Sequence, residues 1–239
     1  MITRMPPGQC TLIKRKPMSR LFTYTVPFDD GAAPNPFNGL CTLAICKPAI
    51  RRVAKVGDWV AGFGSKFAPS GDLSGRLVYA MRLTEVVTMA EYDRLASTRW
   101  PYRIPDRHSA ALQDRLGDCI YDYSNGSPPQ QRPGVHGPEN APTDLSGENV
   151  LISDDFYYFG NRAIPLSDEL RPILHQTQGH KSTCNSIYFE AFTSWLRSAV
   201  SESGQIHGWP DSVVRWNEAD RCGGCKIRKV DDSNDGECQ

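Results

Sequence analysis

LFTYTVPFDDGAAPNPFNGLCTLAICKPAIRRVAKVGDWVAGF, residues 21–63, carries three β-signals separated by turn residues. LFTYTV (21–26) alternates and is rich in β-formers, so it reads as a first strand. LCTLAIC (40–46) reads as a buried strand, with Leu40, Thr42, Ala44 and Cys46 facing one way and Cys41, Leu43 and Ile45 the other. GDWVAGF (57–63) is a third strand, entered by a turn at Val56-Gly57-Asp58 in which Asp58 ties the backbone. Outward from here, GRLVYAMRLTEVV (75–87) is the longest strand candidate, with Leu77, Tyr79, Met81 and Leu83 on one face, and MAEYDRLAS (89–97) follows as a helix. Short strands punctuated by Gly and Pro predict a small mixed or partly open β-barrel rather than a doubly wound sheet.

The second half reads differently. Residues 122–149 form a long loop rich in Pro, Gly, Ser and Asn, and loops above about 15 residues inside a compact domain are functional or disordered. Order resumes at NVLISDDFYYFG (149–160), a short strand and an aromatic turn whose consecutive rings must point both ways. Ser167-Asp168-Glu169 predicts a helix start and a helix over 168–176. IYFEAFTSWLRSAV (187–200) places Phe189, Phe192, Leu196 and Ala199 on one helical face, a core stripe. The expected class is therefore α+β with a helical C-terminal half. The expected organisation is a flexible leader at 1–18, a single domain over 19–204 with its insertion at 122–149, and a polar tail over 205–239.

Composition excludes several classes. The 239 residues hold 27 basic and 27 acidic side chains, with ordinary hydrophobic content, so the chain is neither a coiled coil nor wholly disordered. No run approaches the roughly 18 apolar residues of a membrane helix. The N-terminal MITRMPPGQC lacks the apolar segment of a secretory signal. Eight irregularly spaced cysteines do not make a disulfide scaffold, and reduced thiols in a cytoplasm are expected. No GxxxxGK[ST], HExxH or GxSxG occurs, which excludes the P-loop, zincin and α/β-hydrolase signatures. Neutrality hides an asymmetry: residues 45–107 carry eleven basic and six acidic groups, and residues 136–170 are net acidic. A local basic face can hold phosphate whatever the total charge.

Candidate site residues follow from residue chemistry. Asn35 and Phe37 sit in a loop stiffened by Pro34 and Pro36, where an amide can read a base edge and a ring can stack on one. Trp59, Ser65 and Tyr158 complete the candidate base- or nucleotide-binding set, against the alternative that these rings plug the core. Lys47, Arg51 and Lys66 are the candidate phosphate contacts. Asp29, Asp155 and His180 are the candidate catalytic groups, with Asp30, Cys41 and a Cys184–His180 pair also considered. Cys222 and Cys225 have the spacing of half a zinc site, whose completion would need His207, Cys238 or a second chain; otherwise no metal and no cofactor is expected.

The run over residues 21–66, together with VLISDDFYYFG and QGHKSTCN, resembles the second type of nucleotide modification associated domain, over about residues 20–200. More distantly, the Gly-Asp strand entry at 56–60 and the strand–helix unit at 75–97 resemble PUA-like barrels of the EVE and ASCH kind. That likeness implies a modified or flipped base held in an aromatic pocket. Three readings result: a nucleic-acid or nucleotide binding protein that recognises a modified base, an enzyme acting on a nucleotide or modified base, and a protein-interaction module.

Overall fold

The structure, a computed structural model, describes residues 19–175 and 179–212. In chain order the strands and helices are β1 (Leu21–Val26), β2 (Cys41–Leu43), α1 (Pro48–Val53), β3 (Trp59–Gly64), β4 (Arg76–Arg82), β5 (Glu85–Thr88), α2 (Met89–Thr98), α3 (Leu112–Arg115), β6 (Tyr121–Asp122), β7 (Gln130–Gln131), α4 (Ala141–Leu145), β8 (Asn149–Ser153), β9 (Asp155–Tyr158), β10 (Ile164–Pro165), α5 (Phe189–Ala199) and β11 (Gln205–Ile206). The main sheet runs β1-β3-β4-β9-β11, with β10 beside the start of β4; β1 and β3 are parallel, as are β9 and β11. A second sheet runs β2-β8-β5 and is antiparallel, and β6 and β7 form a small ribbon.

The α+β class is as expected, but among the described residues no sheet closes into a barrel, and the C-terminal half, expected to be helical, holds β6 to β11 beside α4 and α5. The long strand expected at 75–87 is two strands, because the chain turns at Leu83 and Thr84: Leu83 N–H is bound by Asp58 O, in the main-sheet direction, and Thr84 N–H by Ile152 O of the second sheet. The segment 149–158 passes between the same two sheets at Asp154, where Ser153 Oγ donates to Arg82 O at 2.6 Å. These two crossings fix the sheets to each other. The helix expected at 168–176 is a 3-10 turn over Asp168–Ile173 with Pro172 inside it, since proline removes the N–H that an α-helix would need. The loop expected at 122–149 holds β7, a 3-10 turn at Pro138–Asn140 and α4.

Alternation along the strands sorts the core into layers. Phe22, Tyr24, Val60, Tyr79, Met81, Phe156 and Tyr158 pack between the sheets against Cys41, Leu43 and Leu151, with Ile50 of α1 and Ala54 just after it closing one side. On the opposite face of the main sheet, Leu21, Trp59, Ala61, Phe63, Leu77 and Tyr157 pack under Phe192 and Leu196 of α5. Leu77 was expected on the face of Tyr79. A bulge moves it: Gly62 pairs with Tyr79 and Phe63 with Leu77, so Val78 is the extra residue and the side-chain alternation inverts there. Gly62 is required at this point, since a Cβ would lie 2.5 Å from the Tyr79 ring and 2.6 Å from Val26. A third cluster, around Tyr92, Trp100 and Ile120, packs α2 on the β6 segment. Among the described residues no helix is long and apolar enough to cross a membrane.

Candidate active site

Strand β2 stops at Leu43, earlier than the expected 46, because the next residues turn sharply. Cys46 (φ 60°) and Lys47 (φ 42°) are both left-handed, and Pro48 then opens α1. Two such non-glycine residues cost about 1–2 kcal/mol each, so surrounding contacts must hold them. The main-chain N–H of Cys46 donates to Asp144 Oδ1 at 2.9 Å. Arg51 is fully buried, and its guanidinium donates to the carbonyls of Cys46, Ala44, Asn149 and Asp144. Burial pulls the Arg51 pKa below its ordinary value, with Asp144 opposing that shift. Gly147 makes room for this arginine, since a Cβ there would lie 2.1 Å from Nη2.

Arg51 therefore binds the bend to α4 and β8, and it presents no N–H to a phosphate. The pairing of β2 with β8 lays residue 43 beside residue 151, which carries α4, just upstream of β8, alongside the bend.

This arrangement aligns three side chains. Cys46 Sγ lies 3.5 Å from His136 Nε2, and His136 Nδ1 lies 2.6 Å from Asp144 Oδ2. Because a carboxylate accepts at Nδ1, the imidazole proton sits there and the Nε2 lone pair faces the thiol. Tyr121 Oη donates to the same Oδ2 at 3.0 Å, and Gln131 Nε2 donates to the carbonyl of His136 at 2.9 Å, steadying the segment that carries the ring. Exposure rises along the line: Asp144 is 1% exposed, His136 8%, and Cys46 half-buried. A substrate reaching the thiol from solvent would meet the nucleophile first and leave the base and its carboxylate protected. This is the geometry of an activated cysteine: nucleophile, base and a third group that orients the base.

The three donors lie within 4.8 Å of one another and could also receive a metal ion. Both Asp144 oxygens already accept hydrogen bonds, however, so its carboxylate serves the histidine rather than a shared centre.

Other cysteines are in different surroundings. Burial pushes the Cys41 and Cys119 thiols well above their ordinary pKa, and Cys184 is disulfide-bonded, so the expected Cys184–His180 thiol pair does not form.

The remaining candidates are dispersed. Asp29 is buried, accepts from Tyr158 Oη at 2.8 and 2.7 Å on its two oxygens, and has its pKa pushed up to about 7, chiefly by burial and against the Tyr158 hydrogen bond. Asp155 pairs with Arg82 at 3.8 Å. His180 is buried with its ring 5.7 Å from that of Phe22. Asn35 accepts from Arg103 Nη1 at 2.6 Å and donates to Leu116 O, which makes it a brace for its own loop. Phe37 is buried beside the exposed Trp209, 6.2 Å between rings. Trp59 is 1% exposed, stacked on Tyr157 and edge-on to Phe192. Ser65 Oγ accepts from Phe67 N–H, and Lys66 is exposed in the same loop. Lys47 places Nζ 4.8 Å over the Tyr24 ring, next to Cys46. His207 stacks on Phe159. Asp58 accepts from the backbone N–H groups of Arg20 and Lys55, tying its turn as expected. Cys222 and Cys225 lie outside the described residues, as do the leader and most of the tail.

Sequence reasoning thus named Lys47 in the bend and Arg51 in the helix after it, and missed Cys46, His136 and Asp144. The available signal was weak. His136 and Asp144 fall in the one long loop, and 90 positions separate Cys46 from His136, so no fixed spacing marks the set.

The family model described as nucleotide modification associated domain 2 matches residues 18–218. No curated protein and no solved structure matches the chain.

Proposed function

The chain belongs to the nucleotide modification associated domain 2 family, and from that premise we propose that it is a thiol-dependent enzyme acting on a nucleotide or a modified base. The observation that carries this reading is the line from Cys46 Sγ through His136 to Asp144. Cys46 is the nucleophile, His136 the general base, and Asp144 the positioning residue. His136 Nε2 takes the thiol proton, the thiolate adds to an electrophilic acyl carbon, and His136 returns that proton to the leaving amine or alcohol. The resulting thioester passes to water or to an acceptor amine. Lys47, Arg52 and Lys55 around the bend support an anionic substrate, and Lys66 is the further phosphate contact of this reading. Recognition of a modified base would be the specificity of the same enzyme rather than a separate activity.

The test is to incubate the protein with nucleotides and oligonucleotides carrying acylated or amide-bearing bases and to search the Cys46 peptide for a covalent acyl adduct by mass spectrometry. A Cys46 adduct in the wild type with a slowly deacylating ester, absent in Cys46→Ser, together with released product from the ordinary substrates, is the expected result. Tight, modification-dependent binding with no adduct and no product would overturn the enzyme and leave the binding protein.

A further inference from the structure

We propose that Cys46 and His136 also form a zinc site that reversibly silences the thiol, an inference that deepens the reading of Cys46 as a nucleophile facing His136. A tetrahedral zinc ion with Zn–S about 2.3 Å and Zn–N about 2.0–2.1 Å holds its sulfur and nitrogen ligands about 3.5 Å apart. The Sγ to Nε2 distance here is 3.5 Å. The two donors are therefore already at the separation that a shared ion requires.

The histidine already has the outer partner that a metal-bound imidazole takes. His136 gives Nδ1–H to Asp144, the arrangement by which a carboxylate fixes the tautomer of a metal-bound imidazole and raises its basicity. Asp144 is itself held by Cys46 N–H and Tyr121 Oη, so it orients the histidine and takes no place on the ion. Thiolate and imidazole together select zinc and cobalt over magnesium or calcium, which require oxygen ligands. Cys46 is half-buried, so an ion from solvent reaches the thiol, and two exogenous ligands would complete its tetrahedron. Binding replaces the thiol proton, which leaves to solvent, and no electron is transferred. With the sulfur lone pair on the metal and Nε2 coordinated, neither nucleophile nor base is available. The site is an inhibitory one, emptied when free zinc falls.

The experiment uses the full chain, and Cys46→Ser identifies the signal that belongs to this thiol. Cobalt is titrated as the spectroscopic probe, and iodoacetamide alkylation of Cys46 is followed with and without zinc. The expected result is a thiolate-to-cobalt absorption band that Cys46→Ser abolishes and Asp144→Asn weakens by about 10–100-fold in affinity. Zinc slows Cys46 alkylation at least about tenfold, and a chelator restores it. No Cys46-dependent band, with alkylation indifferent to zinc, would overturn the site. The two readings fail separately. A cobalt band on a thiol that stays unreactive at neutral pH would retain the metal site and remove the nucleophile, whereas a reactive thiol blind to zinc and cobalt would do the reverse.

Discussion

The bend at Cys46 and the interior around Asp29 each bury a carboxyl group against a tyrosine hydroxyl, and they put it to opposite uses. Asp144 takes Tyr121 Oη, His136 Nδ1 and the Cys46 N–H, and the line of polar groups leads outward to a half-buried thiol. Asp29 takes Tyr158 Oη on both oxygens, and that line ends in the fully buried ring of Tyr158 between the sheets. A buried carboxyl group supports chemistry at a surface only where its partners connect it to solvent. Around Asp29, desolvation pushes the pKa up to about 7, and its hydrogen-bond partner Tyr158 is itself buried.

The largest expected difference between the regions is in reactivity. Cys46→Ala removes turnover altogether, and His136→Ala lowers it by about 10²–10⁴-fold, measured as product released per minute. Asp29→Asn leaves the rate within about threefold of wild type; a loss comparable to that of His136→Ala would break the comparison and move the base to Asp29. Next comes Arg51→Met, which strips the donors from the carbonyls of the bend while Asp144 stays buried. It should cost about 3–5 kcal/mol in urea unfolding, the cost of breaking a buried charged network.

Asp29 has its own signature in pH. Its folded pKa is raised, so the stability contributed by the protonated carboxyl is fully present below pH about 4 and is lost as pH rises through about 7. Unfolding free energy should fall across that window by roughly 1.4 kcal/mol per pH unit from this group, and Asp29→Asn should flatten the slope. Tyr158→Phe is the smallest effect. It removes a hydrogen bond that lowers the Asp29 pKa, costs about 1 kcal/mol, and moves the end of the same window upward, with Cys46 alkylation unchanged.

Much of this fold is legible in the sequence, because β1, β3 and α5 bury side chains at the periods that strands and helices impose. The departures have local causes. Val78 bulges and turns Leu77 to the other layer, and the chain leaves β4 for a second sheet at Leu83, neither of which alters the hydrophobic pattern. LCTLAIC alternates to its end, yet the left-handed Cys46 and Lys47 stop the strand early, since Arg51 and Asp144 hold the bend from outside that segment. The candidate site is less legible for the same reason. Cys46 meets His136 and Asp144 only through the β2–β8 pairing, a contact that local spacing does not encode. Only the length of the 122–149 segment pointed toward it, and the sequence singled out the cations Lys47 and Arg51 rather than the cysteine just before them.

The most direct measurement is the rate of iodoacetamide alkylation at Cys46 against pH, followed by peptide mass spectrometry in the wild type and in His136→Ala. The expected result is a wild-type rate at neutral pH at least about tenfold above that of the variant, whose rate rises only toward the ordinary thiol pKa of about 8.5. Superimposable curves for the two proteins, both rising near pH 8.5, would contradict it and leave Cys46 as an ordinary thiol beside a histidine.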